Sequence, residues 1–165
     1  MHLNRHKCLN RHIVSDRSYV VGYTHYFTFL KTKGQAVQNE RNYQKAILDC
    51  QRVITRYSKA HDGLSGYSAH TKLGAYGGIK VNGSGSDGHE AFILREHFSE
   101  NERGFCKTAR KPYDVVVVAC LAILQHRLKD AVKISSDGRP VDWMEGLKLA
   151  RKVTGLSIGM PPGVN

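Results

Sequence analysis

An α+β domain is the fold class this sequence predicts: a small, mostly antiparallel sheet covered by about three helices. Three observations point there. Residues 36–59 repeat apolar side chains at helical spacing, Val115 to Leu124 is an unbroken apolar run too long for most strands, and residues 19–30 are dominated by aromatic and β-branched side chains. The chain of 165 residues is long enough for one domain that buries roughly 70% of the surface its unfolded form exposes, so no disulfide or metal staple is required.

Residues 1–18 are polar, basic and rich in histidine, and are expected to form an N-terminal arm. The domain is expected over 19–156, with 157–165 an irregular tail containing Pro161, Pro162 and Gly163. Within it, Tyr19, Val20, Val21, Tyr23, Tyr26, Phe27 and Phe29 predict a strand over 19–30 with both faces partly covered. A turn centred on Gly34 leads into a helix over 36–59. Its arc of Tyr43, Ala46, Ile47, Cys50, Val53, Ile54 and Tyr57 faces the core, and Arg41, Lys45, Arg52, Arg56 and Lys59 stand on the opposite arc. Residues 61–88 hold half of the sixteen glycines, which marks turns and short strands such as Ile79-Lys80-Val81.

Residues 89–98 fit a strand or one short helix, since period does not separate the two, and 100–110 is a polar, basic connection. Pro112 then suits a first helical position and Asp114 a first turn, which predicts a helix over about 112–129 in spite of four consecutive valines. This helix should be the most buried element. Lys133 to Ser135 is a short strand followed by an Asp137-Gly138 turn. A final helix over 140–154 presents Val141, Met144, Leu147, Leu149 and Ala150 inward and stops at Gly155. The sheet is thus expected from 19–30, 77–82, 89–98 and 133–135.

The formal net charge is +11 and is unevenly placed: residues 1–60 carry eleven Lys/Arg against three Asp/Glu, and the rest fourteen against eleven. A local positive field of this kind attracts polyanions and raises encounter rates. Like charges four apart on a helix, as in Arg41/Lys45 and Arg52/Arg56, cost roughly 0.2–0.5 kcal/mol each unless an anion lies against them. A solvated basic face is the plain alternative. The four cysteines, Cys8, Cys50, Cys106 and Cys120, form no C-x-x-C pair, which suits reduced thiols and a cytoplasmic setting. The ten-residue apolar run is about half of what crosses a bilayer, so no membrane segment is expected.

Several constellations carry chemistry on paper. Gly83-Ser84-Gly85-Ser86-Asp87-Gly88 matches G-x-G-x-x-G, but Thr108 stands where a ribose-binding acid belongs and no long crossover helix follows, so a flexible turn is the expectation. His70, His89, Glu90 and His97 are the residues a metal-assisted nuclease or phosphate-ester hydrolase would use, because imidazole and carboxylate supply ligands and proton carriers near neutrality. Their spacing matches no known ligand pattern, and surface histidines explain them as well. His2, His6, Cys8 and His12 lack a packed second shell, so neither a metal nor a cofactor is expected. Lys107, Arg110 and Lys111 beside a helix N-terminus, with Thr108, form a plausible phosphate seat. A helix-turn-helix over the last two helices is opposed by a connection that is too long and contains strand-like Lys133 to Ser135. Stacking of single strands on Tyr19, Tyr23, Tyr26, Phe27 and Phe29 competes with their simpler role in the core.

The run from Lys107 to Asp114, the apolar helix after it, Ser135-Ser136-Asp137-Gly138 and Trp143 resemble segments of small tailed-phage and prophage accessory proteins of unassigned role, over about residues 77–155. The resemblance brings no catalytic residues. It implies an accessory protein acting on nucleic acid or on a host machine, in the host cytoplasm. The expected function is therefore non-enzymatic binding of nucleic acid or a nucleoprotein complex, through Arg41, Lys45, Arg52, Arg56, Lys59, Lys107, Arg110 and Lys111. A phage inhibitor of a host defence, anti-CRISPR-like and acting on a host protein, is the alternative from a second class, and the histidine-centred hydrolase is the third.

Overall fold

The computed structural model describes residues 23–65 and 77–165. They form a single α+β domain with strands β1 (Thr24–Phe29), β2 (Leu64–Ser65), β3 (Ile79–Gly83), β4 (Phe92–Leu94), β5 (Arg103–Lys107) and β6 (Val132–Ser136), and helices α1 (Ala36–Ser58), α2 (Asp114–Leu128) and α3 (Met144–Thr154). The strands divide into two three-stranded sheets rather than one, ordered β5-β1-β6 and β2-β3-β4, and every pairing is antiparallel. Among the described residues no helix is long and apolar enough to cross a membrane.

The fold is built around α2. Val116 through Leu124 are all fully buried, so this helix is apolar around its whole circumference and has neighbours on every side. Isolated β-branched residues disfavour helix by a few tenths of a kcal/mol each, which burial of Val116, Val117 and Val118 outweighs several-fold. α1 lays its buried stripe of Tyr43, Ala46, Ile47, Cys50, Val53 and Ile54 against α2. The link is tightened where Arg127, at the C-terminal end of α2, gives Nε and Nη2 to the buried Asp49 carboxylate at 3.0 and 2.6 Å. α3 reaches α2 closely because Gly146 faces Val118, where any β-carbon would collide with the valine side chain.

Two sequence expectations about packing are overturned at the last helix. Val141 and Met144 are 63% and 54% exposed, not inward. The segment opens with a 3₁₀ turn, Pro140–Trp143, before α3 begins. That turn shifts the phase, so the inward line is Trp143, Leu147 and Ala150. Gly155 closes α3 in the left-handed conformation as expected, at φ 71°. The tail after it has no regular element, yet it docks: Ile158 and Val164 are buried, and Arg151 Nε donates to the Ile158 carbonyl at 2.7 Å.

The strand β5 falls in the stretch expected to be a polar connection. Its inward positions are only Gly104, pressed against the Phe27 ring, and Cys106, while Arg103, Phe105 and Lys107 point outward. β1 runs Thr24–Phe29, residues 19–22 of the expected strand lying outside the described residues, and the 89–98 segment yields just three strand residues.

Replacing Gly146 by Val is expected to force α3 off α2 and lower the unfolding free energy by about 1–3 kcal/mol, as overpacked cores do; chemical denaturation of the variant checks this.

Candidate nucleic-acid interface

Arg41, Lys45, Arg52, Arg56 and Lys59 are all exposed. At 100° per residue they fall within about 60° of one another, and their Cα atoms span about 27 Å of helix. The row exists because the sequence puts apolar side chains on the other arc of α1 and so leaves these positions to water. Arg52 is drawn toward the buried Asp49, with Nη1 3.2 Å from Oδ1, though its side chain stays 60% exposed. Among the described residues, no ion pair engages Arg41, Lys45, Arg56 or Lys59.

The second expected contact, the 103–111 segment, is rearranged. Arg110 is not available as an anion seat: its Nη1 pairs with Asp142 Oδ1 at 3.1 Å, and its guanidinium lies 4.3 Å over the Tyr23 ring. Lys111 Nζ donates to the Ser86 carbonyl at 2.8 Å. Thr108 is fully buried and donates to Asp114 Oδ1 at 2.6 Å, so the start of α2 already carries the protein's own carboxylate. Ala109 and Arg110 both adopt positive φ, 49° and 57°, a conformation that costs non-glycine residues energy and is held by its surroundings. Lys107, by contrast, points its side chain outward from β5.

His89, Glu90 and His97, the described members of the histidine set, form no cluster. Among the described residues, no three His, Cys, Asp or Glu side chains converge as a metal site would need. His70, like His2, His6, Cys8 and His12, lies outside the described residues. The Glu90 carboxylate accepts the Lys107 backbone N–H at 2.8 Å, and its carbonyl accepts the Tyr113 hydroxyl at 2.6 Å, so Glu90 fastens a loop to β5. His89 is exposed, with its backbone bracketed by the Asn82 amide. His97 Nδ1 is 3.0 Å from Glu40 Oε1 and largely in water. That hydrogen bond raises the His97 imidazole above its ordinary range. Burial pushes the Glu40 carboxyl up, but bonds from His97, Gln44 and the Phe98 N–H outweigh it and leave the acid below its ordinary range.

The glycine-rich loop is a turn. Gly85–Asp87 forms one 3₁₀ turn, Gly88 N–H returns to the Gly85 carbonyl, and Asn82 Oδ1 accepts the N–H groups of Gly83 and His89. Those amides are committed within the loop, and the chain continues to β4 without a crossover helix.

A polar cluster that sequence reasoning did not find sits where β1, β6 and α2 meet. His25 is fully buried; its Nε2 is 2.7 Å from Asp114 Oδ1 and its Nδ1 2.9 Å from Ser136 Oγ. Ser136 Oγ also accepts the Gly138 N–H at 2.8 Å. One assignment satisfies every group: Gly138 N–H to Ser136, Ser136 O–H to Nδ1, and Nε2–H to a carboxylate that Thr108 also donates to. The composition is that of a nucleophilic triad. However, the imidazole is packed edge-on against Tyr23 and Trp143 at ring separations of 5.0 and 5.3 Å and has no exposed surface. A leaving group could not reach it, so the cluster acts as a fastener. Among the described residues the neighbouring Tyr23 hydroxyl and Trp143 Nε1 have no hydrogen-bond partner.

His25→Phe is expected to strand Asp114 and Ser136 and to cost about 2–4 kcal/mol in urea unfolding. For the exposed pair, proton NMR titration should give His97 a pKa above its unfolded value, and Glu40→Gln should return it toward about 6.5. The sign follows: the His97 contribution is full below the unfolded pKa and fades as pH rises through the folded one, whereas that of Glu40 is present above its unfolded pKa and fades in acid. No protein-family model, curated protein or solved structure matches this chain.

Proposed function

We propose that this chain is a non-enzymatic, basic accessory protein that binds nucleic acid or a nucleoprotein complex. The reading rests on one observation, the cationic row on α1, four of whose members have no carboxylate partner among the described residues. Four such charges along about 27 Å of one helix repel one another, and a phosphate backbone relieves that repulsion while releasing condensed counterions. The uneven charge, concentrated in the first 60 residues, agrees with it. Binding of this kind is largely independent of sequence, because phosphate contacts position a protein without reading bases.

Arg110 and Lys111 are engaged within the protein and drop out of the expected contact, while Lys107 lies on β5, away from the α1 row. The phage setting rests on the resemblance of residues 77–155 alone. The same row also fits an acidic protein, as an inhibitor of a host defence would need. A pull-down from nuclease-treated lysate separates the two, since a protein partner survives digestion.

The test is the triple variant Arg41→Glu, Lys45→Glu, Arg56→Glu, which spares Arg52 because of its contact with Asp49. Titration of labelled duplex DNA over a range of salt should show the slope of log K against log salt reduced by about 2–3, as for the loss of three phosphate contacts. The melting temperature should stay near that of the unaltered protein. An unchanged slope would overturn the proposal.

A further inference from the structure

The outer face of the β5-β1-β6 sheet carries two exposed aromatic rings side by side. Tyr26 and Phe105 are directly opposite in the β1–β5 register and are 43% and 63% exposed. Opposed residues of an antiparallel pair point to the same side with Cβ atoms about 4.5–5.5 Å apart, so the rings form one patch. The rows on either side follow from the same register. Thr28 lies between Arg103 and Lys133, Tyr26 lies between Phe105 and Ser135, and Thr24 is opposite Lys107. The inner face of β1, with His25, Phe27 and Phe29, is buried; on the outer face Tyr26 is exposed and Thr28 half-buried, and Thr24 at its end is buried.

The charged side chains that β1, β5 and β6 themselves place on this face are all cationic. Among the described residues, no carboxylate pairs with Arg103, Lys107 or Lys133. At one end of the sheet two carboxylates hold backbone groups, Asp137 accepting the Thr24 N–H at 3.1 Å and Glu90 the Lys107 N–H at 2.8 Å; at the other end Glu102 pairs with Arg95 at 3.1 Å. Aromatic faces flanked by cations are what an unpaired strand needs, because its bases are free to stack while its phosphates meet the charges. A duplex keeps its bases stacked inside and cannot use the rings. An acidic protein would answer the cations but, unlike successive nucleotides, does not offer a planar π-face beside every charge.

We infer that this sheet face is a stacking platform for single-stranded nucleic acid, with Tyr26 and Phe105 under successive bases and Arg103, Lys107 and Lys133 along the phosphates. The inference rests on the polyanion reading above and adds to it a second surface and a strand preference. Apolar side chains at opposed positions of an antiparallel pair also support a sheet, so the test must separate a π-face from apolar bulk. Leucine keeps the bulk and removes the face.

Fluorescence anisotropy with labelled oligothymidylate, oligouridylate and a duplex of equal length, at one salt concentration, tests it in the full chain. Tyr26→Leu and Phe105→Leu are each expected to weaken single-strand binding about five- to a hundredfold while duplex binding stays unchanged. Tyr26→Phe and Phe105→Tyr, which keep a ring, are expected to bind like the unaltered protein. The two oligonucleotides report whether DNA or RNA is the better ligand. If both leucine variants hold single strands as tightly as the parent, the platform is wrong, while the α1 reading stands provided the triple variant still loses duplex. If the parent binds neither strand form at low salt, the polyanion reading fails and the platform with it.

Discussion

A helix with apolar side chains on every side has no favourable place except the middle of a domain. α2 is that helix here, and the rest of the architecture follows from covering it. α1 and α3 lie against it, the β5-β1-β6 sheet supplies Phe27, Phe29 and Ile134, and even the irregular tail brings Ile158 and Val164 to the same core. Each covering element must then be two-sided, apolar toward α2 and polar outward. The cationic row of α1 is the outward side of that requirement.

The ends of α2 are fixed by polar chemistry. At its start, Asp114 gathers His25 from β1 and Thr108 from the preceding turn, and His25 carries the connection on to Ser136 of β6. At its C-terminal end, Arg127 meets Asp49 of α1. Apolar burial is non-directional and would tolerate sliding of α2 along its neighbours. Directional hydrogen bonds at both ends select one register. The double left-handed turn at Ala109 and Arg110 is what brings Thr108 and Asp114 together, so its strain is local and tied to that fastening.

Sequence patterns exposed what depends on period and left hidden what depends on distant partners. The helix expected over 36–59 is Ala36–Ser58, and that expected over 112–129 is Asp114–Leu128, because long amphipathic or apolar runs leave a strong local signal. β5 left none, since a strand whose inward residues are glycine and cysteine shows no apolar alternation. The division into two sheets depends on pairing between distant segments, and no local pattern states it. Arg110 counts as a cation in any tally, yet its carboxylate partner is 32 residues away. His25, alone among aromatics, gave no sign of partners 89 and 111 residues further on. For Tyr26, a run of aromatics argued for burial, and only the register with Phe105 shows that it looks outward while Tyr23, Phe27 and Phe29 are buried.

The row on α1 and the outer face of the β5-β1-β6 sheet are kept apart by the apolar layer between them. If both bind as proposed, a short oligomer would meet one of them at a time, whereas a long polymer reaching round the body would engage both, its second attachment being intramolecular and governed by effective concentration. Chain length of the ligand would then control residence time more strongly than its sequence. Two different molecules held on the two sides would likewise be brought together, and the domain would then act as a bridge by geometry rather than by any hinge.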